Sequence, residues 1–103
     1  MDNDTNQMTP IELREMEVAQ YDANIVMYQT ILLSLPSEWP ERLEVHRYPD
    51  NQHDAAAQIE DLDDLTLVSQ LWYADDVRRA IRTETVERTK AAAILEAMKA
   101  MEG

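Results

Sequence analysis

Residues 8–35, MTPIELREMEVAQYDANIVMYQTILLSL, decide the fold. Thr9 stands where a helix N-cap belongs, and Pro10 follows at N1, where its missing N–H removes a donor without an intrahelical partner. Glu12 falls at N3 and completes a capping box with Thr9, while Met8 and Leu13 occupy the positions of a hydrophobic staple. From there residues recur at alternating three- and four-residue spacing: Ile11, Val18, Tyr21, Ile25, Tyr28, Leu32 and Leu35, with Arg14 the one interruption. That period is helical and Pro36 ends it, so the sequence predicts a helix over about 10–35. A second stripe, Leu13, Met16, Gln20, Met27 and Ile31, runs beside the first. Between Ile25 and Leu35 apolar residues lie nearly all round, which predicts burial on more than one side, by the rest of the chain or by a second subunit.

The other end of the chain carries the second long pattern. Leu67, Leu71, Ala74, Val77, Ile81, Ala91, Leu95 and Met98 keep helical spacing over about 64–101. Val86 is the one large apolar residue between Arg82 and Lys90, yet neither proline nor glycine interrupts that stretch. Glu84 and Arg88 form an i,i+4 pair in the favourable orientation, so one continuous helix is expected. Between the two patterns stand Pro36, Pro40 and Pro49. Short helices are expected over 38–46 and 53–60, with a turn at residues 48–51. The alternation Leu43-Glu44-Val45-His46-Arg47 would also suit a short extended segment. Residues 1–8 read as a flexible, acidic tail. The fold class expected is all-α: an antiparallel hairpin of two long helices with one or two short helices in the connection, in a single domain over 9–103. The apolar surplus and the length of the last helix predict a homodimer or another stable partner.

Glycine usage narrows the function. The 103 residues hold one glycine, Gly103. Phosphate-cradling loops, dinucleotide fingerprints and nucleophile elbows all need glycine where φ is positive or the backbone must approach closely, so none of them is encoded here. Cysteine is absent, which removes disulfides and thiolate metal sites. Nine Lys and Arg stand against twenty-one Asp and Glu, a net charge of −12. Such a surface disfavours direct contact with nucleic-acid phosphates or anionic membrane. The polar N-terminus lacks the pattern of a signal peptide, and the run from Ile25 to Leu35 is too short to span a bilayer, so a cytoplasmic protein is expected.

Three carboxylate pairs have the i,i+3 spacing with which all-α nucleotide pyrophosphatases gather Mg²⁺: Glu12 and Glu15, Asp61 and Asp64, Glu84 and Glu87. In so acidic a helical chain this spacing arises readily by chance, and Glu12 already serves the capping box. His46 and His53 lack the paired spacing of a zinc site. Ser34, Ser37 and Ser69 have no adjacent His–Asp logic for nucleophilic catalysis. No cofactor, metal site or catalytic residue is expected.

The leading expectation is therefore a non-enzymatic helical protein that works through helix-to-helix contact, as a small adaptor, assembly factor or virion-type accessory protein. Ile25, Tyr28, Leu32, Leu35 and Trp39 are its candidate interface residues. The alternative is an acidic inhibitor that mimics nucleic acid and occupies the groove of a DNA- or RNA-binding protein, with Glu60, Asp61, Asp63 and Asp64 as its acidic surface. A Mg²⁺-dependent nucleotide pyrophosphatase is the third reading.

Overall fold

A computed structural model describes residues 7–102, so the expected tail lies outside the described residues apart from Gln7 and Met8. Among the described residues every regular element is helical: α1 (Pro10–Leu33), a 3-10 helix (Glu41–His46), α2 (Gln52–Ala57) and α3 (Leu62–Glu102). The fold is all-α, with α1 and α3 antiparallel and the short helices in the connection.

α1 begins as its sequence dictates. The Thr9 N–H donates to Glu12 Oε1 at 2.9 Å, and the Glu12 N–H donates to Thr9 Oγ1 at 3.1 Å. Two otherwise unpaired donors are thereby satisfied. Met8 and Leu13 stay 38% and 56% exposed, so the staple provides little cover. The helix closes two residues before the predicted end. Ser34 and Leu35 turn their N–H groups to the carbonyls of Ile31 and Leu32, both at 3.1 Å, a three-residue tightening ahead of Pro36.

The connection departs from the predicted bounds for local reasons. Pro40 bars helical backbone at Trp39, so the element predicted from residue 38 starts only at Glu41, and as a 3-10 helix. α2 starts one residue early because Asn51 is its cap, with Oδ1 accepting the Asp54 N–H at 3.1 Å. It stops at Ala57 rather than 60. α3 also starts early, at Leu62. Asp61 caps it, its Oδ1 accepting the N–H groups of Asp63 at 2.9 Å and Asp64 at 3.1 Å. From there α3 runs unbroken for 41 residues, about 60 Å of helix.

The chain resolves into two compact units, residues 1–27 with 81–103, and residues 28–80. In the first, the start of α1 and the end of α3 form a hairpin. Ala91 and Leu95 of α3 are buried, and Ile11, Val18, Tyr21 and Ile25 of α1 are half-buried. In the second, Leu43, Val68 and Trp72 form a buried cluster against which Trp39, Ala55, Ala56, Ile59 and Leu67 pack. The Trp72 Nε1–H donates to the His46 carbonyl at 3.0 Å, tying the 3-10 helix to α3.

Of the two ways in which Ile25 to Leu35 is expected to be covered, the rest of the chain does not supply the cover. Within the single chain Ile25 to Leu35 is not enclosed on several sides: α1 contains no fully buried residue, and Val26 and Leu33 are 61% and 88% exposed. The reason is where the connection spends its apolar side chains. Trp39, Leu43, Ala55, Ala56 and Ile59 pack around Val68 and Trp72 of α3 instead of over α1.

Candidate interaction surface

The eight-residue line read from α1 is the line the fold covers. Ile11, Arg14, Val18, Tyr21, Ile25, Tyr28, Leu32 and Leu35 are all half-buried. The interface candidates Ile25, Tyr28, Leu32 and Leu35 thus belong to the covered line, and Trp39 packs against the Leu43–Val68–Trp72 cluster. The second stripe is mostly uncovered, with Ile31 alone half-buried. Leu13, Met16 and Met27 are 56%, 57% and 49% exposed. On α3, Ile94 and Met101 are 45% and 87% exposed, with Met98 half-buried between them at helical spacing.

The two lines come together at one place in the hairpin. Leu13 and Met98 both line a shallow cavity of ≈ 380 Å³, together with Pro10, Arg14 and Glu17. Leu13, Met16, Gln20 and Met27 follow one another along α1 at helical intervals, as Ile94, Met98 and Met101 do along α3. Ion pairs bind the helices to each other elsewhere: Lys99 Nζ lies 3.6 Å from Glu15 Oε2, and Arg88 Nε donates to Asp22 Oδ1 at 2.8 Å.

Carboxylates gather near the seam of the same hairpin. Burial, and then the fields of Glu17, Glu87 and Glu84, push the Tyr21 phenol above its ordinary pKa, with Arg14 opposing them. Glu17 is held by Arg14 at 2.6 Å and Glu87 by Lys90 at 3.6 Å. Glu84 is less well served. Its Oε1 accepts a long 3.5 Å bond from Asn24 Nδ2, and its Oε2 is buried with no hydrogen-bond partner among the described residues. Gln20 Nε2 donates to Asn24 Oδ1 at 2.9 Å, so a polar ladder leads from the exposed stripe to Glu84.

The acidic residues nominated in residues 60–64 have mixed roles. Asp61 caps α3, and Asp64 accepts from Arg42 Nη2 at 2.9 Å, a bond that raises the guanidinium pKa. Glu60 and Asp63 are exposed. Of the six carboxylates in the three i,i+3 pairs, five are engaged: Glu12 in the capping box, Glu15 with Lys99, Asp61 and Asp64 as described, and Glu87 with Lys90, leaving Glu84 as above. Among the described residues no three His, Asp or Glu side chains come together to hold a metal ion. His46 lines a second shallow cavity of ≈ 290 Å³ with Asp50 and Asp54, while His53 is exposed.

Sequence reasoning passed over Arg47. Its guanidinium stacks 5.8 Å from the Trp39 ring and 5.3 Å from the Tyr48 ring, and donates to Glu44 at 3.2 Å, which raises its pKa. A basic residue next to one aromatic and eight positions from another was the available signal.

No protein-family model, no curated protein and no solved structure matches this chain. No helix among the described residues is long and apolar enough to cross a membrane.

Proposed function

We propose that this chain is a non-enzymatic interaction protein that works by helix-to-helix contact, as a small adaptor or assembly factor. The observation that carries this reading is the uncovered apolar stripe on α1: Leu13, Met16 and Met27, each about half exposed, on a helix held in place along its other face. Apolar side chains repeated along one helical face are what a partner helix packs against. A second copy of the chain or a separate protein would provide that helix.

The test is affinity capture with the full chain and with Met16→Glu/Met27→Glu as baits, at low and high salt. The reading expects a partner, or a second copy, that withstands high salt and is lost with the variant. Capture that is salt-labile and indifferent to the variant would refute it.

A second reading is favoured by the distribution of charge. Residues 28–80 hold eleven acids against four arginines, a net −7, whereas the described part of the hairpin unit holds eight acids against five basic residues, a net −3. A concentrated acidic surface suits mimicry of nucleic acid, in which Glu60 and Asp63 would face a basic groove. Its signature would be steep loss of binding with salt and with charge reversal at those two residues.

A further inference from the structure

We infer that the hairpin unit opens and recloses as a module of its own, α1 parting from α3 over residues 10–27 and 81–102, while residues 28–80 stay folded. Opening frees the apolar line Ile11, Val18, Tyr21 and Ile25, which the closed hairpin half-covers. The motion belongs to the chain alone and requires no partner.

Apolar burial is divided unequally between the two units. Leu43, Val68, Leu71, Trp72, Ala74 and Val77 are buried in residues 28–80, whereas the hairpin buries Ala91 and Leu95. Leu95 is therefore the hairpin's one large buried side chain among the described residues, and α1 supplies none. Along α3 no residue from 78 to 90 is buried, a gap of roughly three and a half turns. Burial of apolar surface is what offsets the entropy lost on ordering the chain. A segment with little of it opens at a lower free energy than the molecule as a whole.

Polar contacts at the surface hold the hairpin instead. Lys99 lies 3.6 Å from Glu15 and Arg88 2.8 Å from Asp22, through side chains between 41% and 51% exposed. Ion pairs so open to water contribute little. The bond from Asn24 Nδ2 to Glu84 Oε1 is long, at 3.5 Å, and Glu84 Oε2 is buried with no hydrogen-bond partner among the described residues. Closing the hairpin takes that oxygen out of water without replacing its hydrogen bond, and opening restores it. Residues 28–80 also bury two unpaired donors, Trp39 Nε1 and Arg47 Nε, but they do so beside the larger core. Once parted, helical segments as short as these are marginal in water, so their amides become open to exchange.

Native-state hydrogen exchange of the full chain, read amide by amide by NMR, tests the inference. Amides of residues 13–25 and 84–95 are expected to share one opening and to be at least about a hundredfold less protected than those of residues 68–77, as the difference in buried apolar side chains requires. Val68→Ala is expected to cut protection across 68–77 about tenfold, for the loss of two buried methyl-sized groups. It should leave the hairpin amides unchanged, because open and closed hairpins alike retain the damaged core. Leu95→Ala weakens the closed state alone and is expected to lower protection in both regions. Equal protection of residues 91–95 and 68–77 in the unaltered chain overturns the inference, as does an equal loss in both regions with Val68→Ala. Protection that declines gradually toward the helix ends, with no value shared across the hairpin, also overturns it and leaves simple fraying. Should Val68→Ala fail to fold, the comparison within the unaltered chain decides.

Discussion

Replacing Leu43 by alanine tests how the connection is anchored. Leu43 is the buried residue of the 3-10 helix, 3% exposed, and it packs in one cluster with Val68 and Trp72 of α3. Truncating a buried leucine removes its transfer free energy and leaves a cavity, at a cost of about 2–5 kcal/mol. A small domain holds roughly 5–15 kcal/mol in all, so the change removes a large share of it. At roughly 4–8 °C per kcal/mol for a domain of this size, Tm should fall by at least ~8 °C. Val45→Ala, two residues along and 80% exposed, is the control, expected to stay within about 0.5 kcal/mol. Urea unfolding followed by tryptophan fluorescence suits the question, because both tryptophans, Trp39 and Trp72, report from this cluster. A loss below about 1 kcal/mol in Leu43→Ala, on the scale expected of buried leucines, would refute the packing described. So would an equal loss in Val45→Ala.

Other outcomes follow from single contacts. Thr9→Ala removes one arm of the capping box and should lower thermal stability by about 1 kcal/mol, with fraying at the start of α1 seen by amide exchange. Trp72→Phe leaves the His46 carbonyl without its donor and should cost about 1–3 kcal/mol in denaturant unfolding. The Tyr21 phenol should titrate above its ordinary value of 10.0 in NMR spectra of ring-labelled tyrosine, and Glu84→Gln/Glu87→Gln should bring it down. Because the folded-state value is the higher one, Tyr21 contributes stability that is fully present below its unfolded pKa and is lost as pH rises through the folded value.

Local chemistry made much of this fold legible. The Thr9–Glu12 box is complete within four residues, and the covered line from Ile11 to Leu35 is spaced as a helix must be. Asp61 was harder to see. In the run Glu60-Asp61-Leu62-Asp63-Asp64 it looks like one acid among several, and its role as cap shows only through the N–H groups of Asp63 and Asp64. The 3-10 helix was ambiguous because Leu43-Glu44-Val45 fits an extended period as well as a helical one. Both stripes of α1 could be read, but which one the chain covers depends on α3 and on where Trp39 and Leu43 pack. The grouping of Glu17 with Glu84 and Glu87 around Tyr21 joins residues far apart in the chain, and no local pattern announces it.

The most direct test of the uncovered α1 stripe as the working surface is methyl NMR of the methionine-labelled full chain, titrated with the partner it captures or followed against its own concentration. The helix-to-helix reading predicts that the ε-methyl signals of Met16 and Met27 shift together and saturate at one concentration. Unmoved methionine signals, with changes confined to the indole N–H signals of Trp39 and Trp72 in residues 28–80, would contradict it.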